Sequence, residues 1–288
     1  MAAFAERFVA LARARSPLCL GLDPSREVLS AWGLADDAAG LRVFCQTVLD
    51  IAGDRVAVIK PQASFFERMG PPGMDALKWA LERIRAQGAL SLVDAKRGDV
   101  ADTMEGYGSA FLGLDSGFGG DSMTVNAYLG FGALRPVLDR AAMSDTAVFV
   151  VVRSSNPDGC ALQNARHDDG RTVAEALADD ITAFNAAVGS DLGPVGAVVG
   201  ATIGVRDAAI LSRLPHALIL APGVGAQGAS MADVRARFGP AMGRVLPSVS
   251  RAILLQGPSP AGLREAVDRY RDAAWQNLDY ANRDERRL

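Results

Sequence analysis

The sequence predicts an α/β protein, a single (β/α)8 TIM barrel with an extra N-terminal helix, and two observations carry that prediction. Eight short apolar runs rich in β-branched residues recur along the 288 residues, each followed by Gly, Pro, Asp or Asn and then by a segment of helical period. Near-continuous apolar strands alternating with amphipathic helices indicate a parallel sheet covered by helices. Eight such repeats in a chain somewhat longer than the typical barrel of about 250 residues close that sheet on itself. The alternative, an open doubly wound sheet, lacks the GxGxxG turn after its first strand.

The elements follow in order. MAAFAERFVALARARSP is charged throughout its apolar periodicity, which makes it an amphipathic helix capping one end of the barrel and not an export signal. The strands are LCLGLD (18–23), VAVIKP (56–61), LSLVDAK (90–96), SMTVNA (122–127), AVFVVVR (147–153), VGAVVGA (195–201), ALILAPG (217–223) and RVLPSVS (244–250). The last is the weakest, because Pro247 lacks a ladder donor and should push the strand toward one end of its run. Helices are expected over 38–52, 73–87, 101–113, 131–142, 172–188, 205–213, 230–237 and 259–281. In the last of these Leu263, Val267, Tyr270, Ala274 and Leu278 share one face. The polar stretch 156–171, NPDGCALQNARHDDGR, reads as a loop over strand five, of a length usual for lids and binding loops. With no linker, low-complexity tract or repeat beyond this alternation, residues 1–288 are expected to form one barrel domain.

Composition narrows the function. Apolar residues make up 49% and charged residues 22%, with a net charge of −3. No general positive field is available for nucleic acid, so any bound anion should be small and held locally. Cys19, Cys45 and Cys160 form no CxxC pair and have no nearby His cluster, which argues against a disulfide framework or a zinc site and for reduced thiols in the cytoplasm. No apolar stretch approaches the roughly 20 residues of a membrane span. His167 and His216 read as surface residues. The 30 basic residues are 27 Arg and only Lys60, Lys78 and Lys96. A lysine kept against such a bias supplies a compact ammonium that can give up a proton, which guanidinium does not. For Lys78, in the helical MDALKWALERIRAQG, a surface position suffices.

Barrels carry their chemistry at the C-terminal strand ends and the loops beyond. Those ends read Asp23, Lys60, Asp94 with Lys96, Asn126, Ser155, Thr202, the Pro222–Gln227 turn and Arg251. Turn chemistry alone could explain Asp23 before Pro24, or Ser155 with Asn156 before Pro157. Asp94 and Lys96 are harder to explain so. Two apart on a strand, they point to the same, inward face, where charges are costly unless paired. Asp99 follows at the start of a helix, where a carboxylate can cap and is favoured by the dipole. Gly223, Gly225 and Gly228 around Gln227 could expose backbone N–H groups to an oxyanion, with Arg251 beside them, at the place where barrels often bind phosphate.

DAKRGD at 94–99 resembles the Asp-x-Lys-x-x-Asp signature of the orotidine 5′-monophosphate decarboxylases. The resemblance extends through GLDPS (21–25), VIKPQASFFE (58–67), TVNAYLG (124–130), SSNPDG (154–159), APGVGAQG (221–228) and SR (250–251), covering nearly every strand end. The SNP and NAYLG segments are most similar to the longer bacterial subgroup. The resemblance implies conversion of orotidine 5′-monophosphate (OMP) to UMP and CO₂, the last step of de novo pyrimidine nucleotide synthesis, with no metal or other cofactor. It implies that Lys96 stabilises and protonates a C6 carbanion, that Asp94 faces the departing carboxylate, and that Asp99 completes the array from a partner subunit of a homodimer. By the same resemblance Thr103 reaches the ribose across that interface, Asp23 and Lys60 bind ribose hydroxyls, and Ser155, or Ser154 if the register shifts, meets the pyrimidine. Asn126 joins the substrate-binding set, Gln227 links the pyrimidine region to the phosphate, and Pro222, Gly223, Gly225 and Arg251 surround the phosphate. The competing expectations are a metal-dependent sugar-phosphate lyase of the same superfamily, for which Lys60 and Pro61 stand where a second acidic ligand is needed, and a barrel that binds nucleotide without turnover.

Overall fold

The computed structural model describes residues 2–204 and 207–280. Its eight strands are β1 (Cys19–Leu22), β2 (Val58–Pro61), β3 (Leu90–Arg97), β4 (Ser122–Val125), β5 (Ala147–Arg153), β6 (Val195–Val199), β7 (Ile219–Pro222) and β8 (Val245–Val249). Each pairs in parallel with the next, and β8 returns to β1 through Cys19 opposite Ser248 and Leu20 opposite Val249, closing the barrel. All eight expected strands are present. They are short and buried on both faces because side chains fill the barrel inside and helices cover it outside, the burial that continuous apolar runs require. Pro247 does not displace its strand: it sits in the middle of β8, opposite Ala221 of β7.

The helices are α1 (Phe4–Ala14), α2 (Arg26–Ala31), α3 (Ala38–Ala52), α4 (Ala63–Glu67), α5 (Pro71–Ala86), α6 (Ala101–Phe111), α7 (Arg135–Met143), α8 (Gly159–Gln163), α9 (Val173–Val188), α10 (Met231–Arg237), α11 (Arg251–Leu254) and α12 (Pro260–Asn277). Local chemistry sets several starts. Asp37 accepts the Gly40 N–H at the head of α3, and Thr172 and Glu175 exchange reciprocal bonds at the head of α9, which Gly189 ends at φ 82°. The expected helix over 131–142 is divided into a 3-10 turn, Phe131–Leu134, and α7. Of the expected helix 205–213, residues 207–213 form a 3-10 helix and the first two positions lie outside the described residues. So do residue 281 and the terminal NRDERRL. The 156–171 stretch is not all loop, since it contains the single turn α8.

α1 closes the end of the barrel opposite the strand C-termini. Phe4, Phe8 and Ala12 recur at helical spacing on its buried face, with Phe4 edge-on to Phe149 of β5 and Phe8 edge-on to Tyr280. Arg7 fastens it by a 2.7 Å bond to Asp121, just before β4, and by another to the Asp145 carbonyl, just before β5. With that end plugged, the opposite mouth is left for a ligand. Among the described residues no helix is long and apolar enough to cross a membrane.

Candidate active site

At the C-terminal mouth a cavity of about 430 Å³ is walled by residues from β1, β2, β3, β7, β8 and the loops after them. Asp23, Lys60, Asp94, Pro222, Gly223, Gln227 and Arg251 all line it, joined by Ser25, Gln62, Phe65 and Ser250.

The floor is an ion-pair array. Lys60, delivered by β2 and only 5% exposed, donates to Asp94 Oδ2 at 2.9 Å. Lys96 Nζ donates to the other oxygen, Oδ1, at 2.6 Å, and the Thr124 hydroxyl is 2.7 Å from the same atom. Burial alone would raise the Asp94 pKa, but Lys60 and Lys96 outweigh it and hold the carboxyl well below the usual range. Burial likewise works against the charge on Lys60, and Asp94 with Asp23 overcomes it, so that its pKa lies above the ordinary lysine value. Both groups are therefore charged at neutral pH. The side chain of Lys96 is 51% exposed, leaving its ammonium anchored on one side and open on the other.

Lys96 meets Asp94 through an interruption of the strand, more than through simple alternation. The β3–β4 register shifts between Val93 and Arg97, and Lys96 stands at φ 46°, in the left-handed region that side chains rarely adopt. Asn126 holds this turn: its Nδ2 donates to the Lys96 carbonyl at 2.8 Å and its Oδ1 accepts the Tyr128 N–H. Asn126 thus engages the backbone of Lys96 and does not line the cavity. Gly98 is required just beyond, because a Cβ there would come 2.6 Å from the Asn126 carbonyl oxygen.

Asp23 enters the tight turn before α2, its carbonyl accepting the Ser25 N–H at 2.8 Å, but it is not the cap. Ser25 caps α2, accepting the Val28 N–H, while Asp23 Oδ2 accepts from the Ser250 hydroxyl across the β1–β8 seam. Its Oδ1 is buried with no hydrogen-bond partner among the described residues, and the residue faces the cavity. Ser155 donates to Gln227 Oε1 at 3.0 Å, bridging the β5 and β7 loops. Ser154 is turned the other way, accepting from Gln163 Nε2 at 2.8 Å. In the β7 turn Gly223, Gly225 and Gly228 all have positive φ, as their selection for glycine implies. Two of their N–H groups are nonetheless spent inside the turn, Gly225 on the Ala229 carbonyl and Gly228 on the Gly225 carbonyl, so these two do not form the expected oxyanion cradle. Gly225 instead allows close packing, since a Cβ there would lie 2.7 Å from that of Ala252. Arg251 opens α11 and is exposed on the wall of the cavity.

Asp99 and Thr103 are not brought to the cavity of their own chain. Asp99 is half-buried after β3 and accepts the neighbouring Val100 N–H at 2.8 Å. It does not cap α6, whose N-cap position is Val100 without a side-chain bond. Thr103 is exposed on α6, as are the large apolar side chains of Val100, next to Asp99, and of Tyr128 and Leu129 after β4. Thr202 follows β6 without lining the cavity. Sequence reasoning missed Gln62, which donates to the Asp94 carbonyl at 3.1 Å, and Ser250 and Thr124, although all three lie inside segments that carried the resemblance.

The orotidine 5′-phosphate decarboxylase / HUMPS family model matches residues 16–266. This chain belongs to that family. The orotidine 5′-phosphate decarboxylase of Myxococcus xanthus is 51% identical over 268 residues, covering 93% of each chain, and that of Streptomyces coelicolor 44% identical over 256 residues, covering 89% of this chain and 91% of the other. A crystal structure of a candidate family member from Streptomyces avermitilis matches with a TM-score of 0.91 at 43% identity over 96% of each chain. Leishmania donovani OMP decarboxylase matches at 0.75 and 31%, over 94% of this chain and 96% of the other. Family membership bears out the resemblance read from the DAKRGD signature and the ordered strand ends. No group of three or more His, Cys, Asp or Glu able to hold a metal ion occurs among the described residues.

Proposed function

We propose that this chain, as a single barrel domain in a cytoplasmic homodimer, decarboxylates OMP to UMP and CO₂ without metal or cofactor, and that Lys96 is the residue that stabilises and protonates C6. The Lys60–Asp94–Lys96 array carries this proposal: one buried carboxylate, itself lining the cavity, clasped by two ammonium groups, one of them on a half-exposed side chain. Loss of CO₂ leaves the bonding electron pair on C6, with no adjacent group to delocalise it. Catalysis must then come from fixed charge aimed at that atom. The ammonium of Lys96 meets this need and transfers one of its protons to C6, giving UMP; the lysine is reprotonated from solvent. Asp94 cannot easily accept a proton at neutral pH. Its charge faces the substrate carboxylate, favouring departure of that group, and keeps Lys96 aligned.

The remainder of the substrate is gripped along the wall. Asp23, with its unpartnered buried oxygen, and Lys60 take the ribose hydroxyls. Ser155 and Gln227, already bonded to each other, take the pyrimidine and link it toward the phosphate, which lies against Pro222, Gly223 and Arg251. Binding energy from the phosphate then serves the reacting end of the molecule. Asp99 and Thr103 act on the partner's site, which accounts for their absence from the cavity of their own chain and for the exposed Val100 next to Asp99.

The test is the fall in ultraviolet absorbance of OMP on adding purified, EDTA-treated protein. Conversion to UMP supports the proposal. Binding of UMP by folded protein without conversion would indicate a barrel that only binds nucleotide, and turnover restored by a divalent ion alone would indicate metal-dependent chemistry.

A further inference from the structure

Thr124 lies in β4 and is 1% exposed. One oxygen, its Oγ1, has two partners: the Lys96 backbone N–H at 2.9 Å and Asp94 Oδ1 at 2.7 Å. The direction of both bonds is fixed. An amide N–H can only donate, so Oγ1 accepts from Lys96, and an ionised carboxylate can only accept, so the hydroxyl proton points to Asp94. The same Oδ1 receives the Lys96 ammonium. Thr124 therefore closes a ring that runs from the Lys96 amide through the hydroxyl and the Asp94 carboxylate to the Lys96 side chain. It does so where the β3–β4 register breaks and where Lys96 adopts its left-handed backbone. With Asn126 holding the Lys96 carbonyl, Thr124 holds the amide of the same residue.

We propose that Thr124 is a positioning residue for the decarboxylation, its hydroxyl fixing both the backbone turn of Lys96 and the rotation of the Asp94 carboxylate, so that the ammonium keeps its place on the Asp94 oxygen. The inference rests on the assignment of Lys96 and Asp94 as the reacting pair. Serine retains the hydroxyl and valine retains the shape without it.

The experiment compares Thr124→Val and Thr124→Ser with the wild-type protein in OMP turnover, UMP affinity and thermal unfolding. Thr124→Val should stay folded and lose about ten- to a hundredfold in kcat, the range for a lost bond to a charged group. Its UMP affinity should fall by no more than about threefold, since Lys60 keeps its own bond to the other Asp94 oxygen, Oδ2, and the remaining binding groups lie on other strands. Thr124→Ser should recover most of the lost kcat. If Thr124→Val does not fold, Thr124→Ala against Thr124→Ser makes the same comparison. A valine variant with wild-type kcat, equal losses in kcat and UMP affinity, or a serine variant no better than valine overturns the inference. Turnover retained by Lys96→Ala would instead overturn the assignment beneath it, whereas an inactive Lys96→Ala beside a fully active Thr124→Val removes only the role of Thr124.

Discussion

Lys96 reaches back to Asp94 at 2.6 Å across the single intervening Ala95, and it does so from a backbone angle of φ 46°. A regular strand would send both side chains to one face, but Lys96 would remain in the ladder with its amide bonded to β4. Leaving the ladder gives the lysine a geometry of its own, held by Thr124 and Asn126. Such a strained residue persists only when its surroundings over-determine it, and strain of this kind concentrates at functional sites.

Lys96→Ala should abolish turnover while leaving the fold intact. Asp94 keeps Lys60 as its buried partner, and the lost ammonium is half exposed, so the cost in stability should be about 1 kcal/mol or less. UMP binding should persist because the phosphate and ribose contacts lie elsewhere. The check is single-turnover assay of OMP beside UMP titration; near-normal turnover by the variant removes Lys96 from its assigned role.

Arg251→Ala should act on binding. The guanidinium stands on the cavity wall at the start of α11, well away from the Asp94 array in the chain, where it can form charge-assisted bonds to a phosphate. The expectation is a KM raised by about ten- to a hundredfold, the worth of one or two such bonds. Steady-state kinetics decide it, and an unchanged KM would contradict the placement of phosphate there.

The strands were legible because burial on both faces leaves an apolar run that survives without any knowledge of partners. The helices of a single turn, α2, α4, α8 and α11, were not, since four to six residues are too few to show a period. The charged members of the site stood out as inward-pointing Asp94 and Lys96 and as lysines in a chain that otherwise uses arginine. Thr124 did not, because threonine in a strand is ordinary. Nor could spacing show that Gly225 and Gly228 spend their N–H groups inside the turn, which depends on where Ala229 folds back. Asp99 looked like a helix cap in sequence, but α6 begins one residue too late for it.

The three cysteines should separate by reactivity. Burial pushes the Cys19 thiol up to about 12 in spite of Lys60 nearby, and it raises Cys45 as well. Cys160 is half-buried in α8, with Arg153 Nη2 3.3 Å from its sulfur. At pH 8 an aromatic disulfide reagent should label one thiol in the native protein and all three after unfolding. Peptide mapping should place the native label on Cys160; rapid labelling of Cys19 or Cys45 would contradict their burial.

The buried pair should give the protein two pH limits. Asp94 titrates below its ordinary value of 3.8, so the stability it contributes is complete above that pH and is lost as pH falls. Lys60 titrates above its ordinary 10.5, so its contribution is complete below that pH and is lost as pH rises. In between, the pair contributes a constant. Urea midpoints of the wild type and of the double variant Lys60→Met/Asp94→Asn should therefore differ by a fixed amount from about pH 5 to pH 9, with the wild type losing ground at either extreme. A difference that drifts across the neutral range would contradict the charge states assigned.

Asp99 poses the question of shared sites most directly, since it lies in the signature with Asp94 and Lys96 yet does not line the cavity that Asp94 faces. If it serves the partner's site, an Asp99→Ala chain still offers an intact lysine and a Lys96→Ala chain still offers an intact Asp99. A dimer of one each then contains one site built from both intact residues and one lacking both. Each variant alone should be inactive, and unfolding and refolding them together should restore activity toward a quarter of wild type, since about half of randomly paired dimers are mixed and each has one of its two sites complete. Mixed dimers isolated by two affinity tags make the test quantitative. Zero activity in verified mixed dimers would place Asp99 in the service of its own chain, and would require the loop after β3 to move toward the cavity when substrate binds.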